Sequence, residues 1–285
     1  MYNLRYHIAS LVAVFLALAL GLFLGAMVVD SGAVDRTSAA VIESLQKEYT
    51  ALRTENADLT RDAADRTAFE AEVVDAWATS RLEGSTVLMI TGPDPSPAEP
   101  YVEESLEAAG AAVATMRISA EEIGAPSAVE ILSGMGVEVA APITENALPK
   151  LVEVVVDELR DPASERPALA ALVGGGWIAL EGIAPGMSTT TVVDVAHRGD
   201  SPDGFALSLA RQAHGVGMRS FAAAMFPDAS GFSTATSAAG LTTLHGVEGA
   251  RGRFAIVSLA SDDVVTGSYG FDQAGRFILP EPVTR

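Results

Sequence analysis

The chain has 285 residues, with 37 acidic and 18 basic side chains, no cysteine and a formal net charge of -19. The lack of cysteine excludes disulfide scaffolds and thiolate metal sites. The few basic residues are scattered in an acidic chain that repels phosphate backbones, so we expect no nucleic acid among its partners. Because 49% of the residues are hydrophobic and only 19% are charged, most of the chain is expected to fold.

The first predicted element is a membrane-spanning helix. Residues 8–29 are 22 consecutive residues without a charged side chain, and a helix of that length crosses a hydrocarbon core of about 30 Å. The run is longer than the 7 to 15 or so apolar residues of a cleaved signal peptide. Arg5 precedes the run, and Asp30 and Asp35 follow it, so the positive-inside rule predicts a cytoplasmic N-terminus and an extracytoplasmic remainder. Residues 1–30 are thus predicted to be the anchor of a single-pass plasma-membrane protein.

Two glycines lie four residues apart within the apolar run. Gly21 and Gly25 form a G-x-x-x-G step, which permits close approach of two membrane helices. The alternative is a chance pair of glycines, which are common in apolar helices.

A stalk is predicted over residues 31–83. Residues 37–80 contain no proline or glycine, and large side chains recur at alternating spacings of three and four. The predicted seam residues are Ile42, Leu45, Tyr49, Leu52, Asn56 and Leu59. This pattern favours a parallel two-stranded coiled coil in which Asn56 fixes register and oligomeric state, so the chain's first predicted partner is a second copy of itself. The alternative is one amphipathic helix packed on its own domain. The register degrades at Arg66, where Phe69 and Val73 indicate a stutter.

The remainder, residues 84–285, is predicted to form one α/β domain, because short apolar runs alternate with segments of helical periodicity. The predicted strands are residues 86–91, 112–118, 177–180, 190–195, 220–225 and 254–259. The predicted helices are residues 101–109, 144–160 with Thr144 as the N-cap, 167–173 and 205–214. This alternation is typical of a mostly parallel, Rossmann-like sheet covered on both faces. The glycine-rich segment 267–285 is predicted to be a loop or tail.

No motif of an enzyme class is present. The sequence has no G-x-S-x-G, H-E-x-x-H or P-loop, and no G-x-G-x-x-G after the first strand, so we expect no catalytic activity. The three glycines at 174–176 precede a predicted strand and indicate a turn. The methionines and the histidines His197, His214 and His245 are isolated in sequence, so the residues themselves indicate no metal site or cofactor.

One group of carboxylates follows the predicted strands. Parallel strands end at the same edge of a sheet, where ligands bind in open α/β folds. The residues concerned are Asp94, Asp200, Asp203, Asp228, Asp262 and Asp263. If their strands are neighbours, these side chains form an acidic rim that suits a hard cation or a basic protein. The alternative is that aspartate is the favoured cap and turn residue at such junctions.

The N-terminal residues resemble those of a known family. The string LRYHIASL at residues 4–11, continued by AVFLALALG at 13–21 and by Gly25, is similar to the start of the actinobacterial copper transport family MctB, as is the order of anchor, stalk and α/β domain. The resemblance implies an envelope protein of copper homeostasis, with copper as the implied ligand and an outer-membrane channel as one suggested role. It also implies a second role, since corynebacterial members resemble single-pass partners of cell-separation machinery that act on peptidoglycan hydrolases.

Physical constraints favour a scaffold over a channel. A pore requires a closed barrel or a bundle of spans, whereas this sequence offers one apolar helix per chain. We therefore predict a homodimeric, single-pass envelope protein of the copper transport family that presents two α/β domains to an envelope or cell-division protein. The remaining alternatives are copper transport or binding by the chain itself and an enzyme without a recognised motif.

Overall fold

The computed structural model describes residues 4–30, 33–119, 123–184, 186–196, 204–228, 232–262, 264–272 and 274–281. The chain divides into two compact units, Met1–Arg66 and Thr67–Arg285. Each unit is described separately below.

The first unit is helical. Helix α1 is Leu4–Asp30, and helix α2, which begins in this unit, is Ala33–Ala78. Within α1 the segment Arg5–Met27 is long and apolar enough to cross a membrane, with a mean hydropathy of 2.6. Helix α2 is continuous over 46 residues, as the absence of proline and glycine from its sequence predicts.

The second unit is a mixed α/β structure. Its strands among the described residues are β1 Thr86–Thr91, β2 Ala112–Ile118, β3 Ile178–Glu181, β4 Thr191–Val195, β5 Arg219–Ala224, β6 Thr242–His245, β7 Ser268–Phe271 and β8 Phe277–Ile278. Its further helices among these residues are α3 Glu99–Ala108, α4 Ala125–Gly134, α5 Ile143–Arg160, α6 Pro167–Gly174, α7 Phe205–Gly215, α8 Phe232–Ala238 and α9 Gly249–Ser261.

All the described strands belong to one eight-stranded sheet in the order β3-β2-β1-β4-β5-β6-β7-β8. The strands from β2 to β7 in this order are parallel, and β3 and β8 are antiparallel strands at the edges. One hydrophobic core lies between the sheet and helices α4 to α7, and another contains residues of α3 and α9. Because both faces are covered, every residue of β1 and β4 is buried. The prediction of a mostly parallel α/β sheet is confirmed.

Most of the predicted elements are found within one or two residues. The strands predicted at 86–91 and 112–118 are β1 and β2 without a shift, and the helix predicted at 144–160 is α5. Thr144 is not the N-cap, because α5 begins at Ile143 after Pro142. Helices α4 and α8 and strand β6 were not predicted.

The strand predicted at residues 254–259 is wrong, because these residues lie in helix α9. The helix is buried over most of its surface, from Gly252 to Ala260, so its apolar residues form a continuous run without helical periodicity. Such a run cannot be distinguished from a buried strand by its pattern. The strand of this region is β6, which precedes α9.

The loop predicted at residues 267–285 is also wrong in part, because β7 and β8 lie within it. Gly270 has a φ of +92°, and a Cβ there would lie 1.8 Å from the carbonyl oxygen of His245 on β6. The glycine that weakens the strand signal in the sequence is what permits this close pairing of β7 with β6.

Gly252 offers a test of the helical assignment of α9. A Cβ at this position would lie 2.2 Å from the carbonyl oxygen of Val247, so we expect Gly252→Ala to lower the free energy of unfolding by about 1 to 3 kcal/mol. The matched control is Gly134→Ala at the end of α4, where no atom lies within 4 Å of the added Cβ. Urea denaturation of the detergent-solubilised chain, followed by tryptophan fluorescence, measures the difference. Equal stability of the two variants would contradict the packing of α9.

Candidate functional site

The carboxyl edge of the sheet is the first candidate site. The chain proceeds from β1 to β2 on one side of β1, and β4 lies on the other side, so a ligand crevice is expected between the ends of β1 and β4. A loop of the protein bridges these two ends. The buried Ser96, which follows β1, donates a hydrogen bond from its Oγ to the carbonyl oxygen of Ala196 after β4, at 2.6 Å.

An ion pair holds the same loop from its other side. Arg117, near the end of β2, lies with its Nη2 2.5 Å from Oε1 of Glu99 in the first turn of α3, and its Nη1 donates to the carbonyl oxygen of Gly92 at 3.2 Å. The positive end of a helix dipole attracts anions. At α3 this position is occupied by the protein's own carboxylate, an arrangement that disfavours a phosphate ligand.

Asp194 is an ionisable residue of this edge that the sequence analysis missed. It is fully buried near the end of β4, and it is in register with Ile90 of β1 and Ala222 of β5. A single acidic residue within an apolar strand gives no motif, and only the sheet order shows that it lies between two neighbouring strands.

The predicted acidic rim is only partly at this edge. Asp94 is exposed after β1, and Asp228 is half-buried after β5. Asp200, Asp203 and Asp263 lie outside the described residues.

Asp262 does not join the rim, because it follows helix α9 instead of a strand. It lines a crevice together with Arg219 and Thr242, the first residues of β5 and β6, and therefore lies at the amino edge of the sheet. Its carboxylate lies 3.9 Å from Arg81.

His245 lies at the carboxyl end of β6. Its Nε2 is 3.0 Å from Oγ of Ser268. Burial lowers the pKa of this histidine, and the nearby carboxylate of Asp228 opposes that shift. Burial therefore favours the neutral form of the imidazole in the folded chain. His214 is exposed at the end of α7, and His197 lies outside the described residues.

The part of the chain that the structure describes brings together no group of three or more His, Cys, Asp or Glu side chains able to hold a metal ion. Met89 and Met116 are fully buried and belong to the cores on opposite faces of the sheet. Gly174 ends α6, and the next two glycines, at 175 and 176, form the turn towards β3.

The predicted seam on α2 is the second candidate site. The five large hydrophobic seam residues are between 56% and 68% exposed in the single chain, and Asn56 is exposed as well. These five residues are Ile42, Leu45, Tyr49, Leu52 and Leu59. An added Cβ at Gly21 or Gly25 of α1 would meet no atom within 4 Å. Both surfaces are therefore accessible to another chain.

The last turns of α2 lie in the second unit, and a set of contacts with α9 holds them there. We call this set the α2–α9 clamp. Nε and Nη2 of Arg251 donate to the two carboxylate oxygens of Glu70, at 3.1 and 2.8 Å. This hydrogen bonding lowers the pKa of Glu70 and raises that of Arg251. The rings of Trp77 and Phe254 have centroids 4.4 Å apart.

Further contacts surround the α2–α9 clamp. Arg253 pairs with Asp75 and, at 3.0 Å, with Glu104 of α3. Arg81 lies over the ring of Trp77 at 4.2 Å. Because Ala78 and Leu82 are 1% exposed, the end of α2 belongs to the globular core. The boundary between the two compact units falls after Arg66.

The chain matches a known protein family. The family model described as copper transport outer membrane protein, MctB, matches residues 1–280. The match includes the apolar helix, α2 and the α/β unit through β8. No curated protein matches the chain.

The lowered pKa of His245 predicts a pH dependence of stability. An unfolded histidine binds its proton near pH 6.5, whereas burial lowers the pKa of His245 in the folded chain. Below about pH 6.5 the unfolded chain then binds more protons, so stability falls as the pH is lowered through this range. We expect His245→Gln to lose less stability than the wild type between pH 7.5 and 5.5, as measured by urea denaturation at each pH. The exposed His214→Gln is the control and should retain the wild-type loss. An unchanged loss in His245→Gln would contradict this account.

Proposed function

The chain belongs to the MctB family of copper transport outer membrane proteins, and we propose that it serves copper homeostasis at the cell envelope as a parallel homodimeric scaffold. In this proposal α1 anchors each copy in the plasma membrane with its N-terminus in the cytoplasm. The α/β unit stands on the extracytoplasmic side and engages another envelope protein. The chain has no catalytic role of its own.

The observation that carries the proposal is the exposed apolar seam of α2. Burying a leucine side chain stabilises a structure by about 1.5 to 3 kcal/mol, and α2 carries three leucines, an isoleucine and a tyrosine at seam positions that are mostly exposed in the single chain. A second copy offers an identical stripe. Two copies anchored in one membrane by their N-terminal helices enter from the same side, so their α2 helices run parallel and in register. Asn56 can then face its counterpart.

The apolar helix supports a scaffold better than a pore. Among the described residues one helix, Arg5–Met27, could cross a membrane. Two such helices side by side leave no water-filled path between them, because a channel needs a larger bundle or a closed barrel. The membrane segment is therefore proposed to act as an anchor, with Gly21 and Gly25 at the helix contact.

The carboxyl edge of the sheet supports a role through protein contacts. Ser96 bridges the ends of β1 and β4, and Glu99 occupies the amino end of α3. The described residues thus favour a closed loop where open α/β folds take a small ligand. We propose that copper is handled by the partner protein, to which the α/β unit is presented.

Regulation of cell separation is the second candidate function. In this alternative the α/β unit engages division or peptidoglycan-hydrolase machinery. The exposed seam of α2 and the bridged loop at the carboxyl edge of the sheet also favour this function. An anchored pair of chains with a closed ligand crevice suits the recruitment of an enzyme outside the membrane.

Interruption of the seam tests the dimer. We expect Leu52→Lys to convert the detergent-solubilised chain from dimer to monomer in sedimentation experiments, because it removes two leucines from the middle of the apolar seam and places two ammonium groups close to each other there. Ala51→Lys places the same charge one residue away and off the seam, and it should remain dimeric. A wild-type chain that is monomeric at every concentration would contradict the proposal.

Complementation tests the biological role. We expect cells lacking the chain to lose copper tolerance, and we expect Ala51→Lys but not Leu52→Lys to restore it. If the cells instead form unseparated chains at unchanged copper tolerance, the second function is favoured. Specific, stoichiometric Cu(I) binding by the purified chain would contradict the assignment of copper handling to the partner.

A further inference from the structure

The α2–α9 clamp indicates where the proposed dimer contact becomes limited to one side of α2. Resting on the proposed homodimer, we infer that the contact between the two copies continues past Arg66 to Val73 on one side of α2, while α9 of the same chain replaces the partner helix on the other side. The occupant of the exposed surface formed by Phe69 and Val73 is thus a second copy of the chain.

Because α2 is one continuous helix through Ala78, the heptad positions can be counted into the globular unit without the stutter that the sequence predicts at Arg66. Ile42, Tyr49 and Asn56 define one seam position, called a, and Leu45, Leu52 and Leu59 define the other, called d. Counting onward in sevens places Glu70 and Trp77 at a, and Arg66 and Val73 at d. Phe69 falls at position g, which flanks the seam.

The later a positions are occupied by contacts within the chain. The carboxylate of Glu70 accepts two hydrogen bonds from Arg251, and the ring of Trp77 packs on Phe254 at 4.4 Å. Both partners lie on α9. A second copy of α2 cannot occupy the same surface, so the a side of the seam closes on the chain's own α9 after residue 66.

The d side of the same turns stays open. Val73 is 50% exposed and Phe69 is 67% exposed, although neighbouring residues of these turns are packed against α9. The two side chains are four residues apart and therefore lie on one face of the helix. They form an apolar surface that nothing in the described part of the chain covers.

Continuity with the upper seam identifies the occupant. Val73 lies two heptads beyond Leu59, so parallel helices in register bring each Val73 opposite its counterpart. The intervening d residue, Arg66, can place its aliphatic stem along the seam and its charge in water. The seam from Ile42 to Leu59 alone covers 18 residues, or about 27 Å. Two further d positions would lengthen this short contact and fix the two α/β units relative to each other.

Cysteine cross-linking in the full-length chain tests the inference, because the natural sequence has no cysteine. Three single variants are expressed in membranes and treated with a mild oxidant: Leu59→Cys in the upper seam, Val73→Cys in the proposed extension and Glu72→Cys as the control. Glu72 is exposed on the same turn as Val73 but falls at position c, away from the seam. Disulfides form only when the Cβ atoms approach within about 4.5 Å.

We expect Leu59→Cys and Val73→Cys to give similar yields of cross-linked dimer, and Glu72→Cys to give a several-fold lower yield. A dimer from Leu59→Cys with Val73→Cys at or below the level of Glu72→Cys would overturn the extension and leave the proposed dimer intact. Failure of both Leu59→Cys and Val73→Cys would overturn the dimer and the extension together. Because Val73 is half-exposed, its replacement should not disturb folding, and protease resistance of the α/β unit in the same membranes checks this.

Discussion

The apolar side chains along α2 are stabilised when they are buried away from water. This requirement links α2 to helix α9 and, in our proposal, to a second chain. In the last turns of the helix these side chains are buried within the same chain, since Trp77 packs on Phe254 and Ala78 is buried in the core that contains α9. Between Ile42 and Leu59 the same helix has large exposed side chains at heptad spacing. In our proposal these side chains are buried against another chain. A parallel second copy is the natural candidate, because both copies would be anchored in one membrane.

The α/β unit fits this role because a loop of the protein bridges the ends of β1 and β4, where such sheets bind small ligands. Ser96 ties the loop after β1 to the end of β4, and the Glu99–Arg117 pair holds the same loop at β2. Among the described residues, the amino end of α3 thus holds the carboxylate of Glu99 where doubly wound sheets often bind a phosphate. The family relationship associates the chain with copper transport and homeostasis at the envelope, and the physical features favour a contribution through contacts between proteins.

The sequence predicts the parts of the fold whose signal is local. Strand β1 is a short buried apolar run ended by Gly-Pro, and α1 is an apolar helix of membrane length, so both were found from their patterns. Helix α9 was mistaken for a strand because burial on several sides removes helical periodicity. Strand β7 was missed because its pairing with β6 depends on Gly270, a residue that by itself indicates a loop.

The candidate site shows the same division. Asp94 and Asp228 lie at the carboxyl edge because they follow β1 and β5, whereas Asp262 follows a helix and lies at the opposite edge. The α2–α9 clamp joins Glu70 to Arg251 across 181 residues of sequence, and no local pattern reports such a contact. Its trace in the sequence is the loss of apolar residues at the seam positions occupied by Arg66 and Glu70.

Distances between spin labels on two copies test the central claim most directly. A single nitroxide is attached through cysteine at position 47, 54 or 61 of the full-length chain in lipid bilayers; these positions lie on the side of α2 opposite the seam. Paired parallel helices have axes about 10 Å apart along their length, so the account predicts one short inter-copy distance that is the same at all three positions. A distance that is shortest at 54 and longer at 47 and 61 would indicate antiparallel pairing, and the absence of any specific inter-copy distance would show that the copies do not pair.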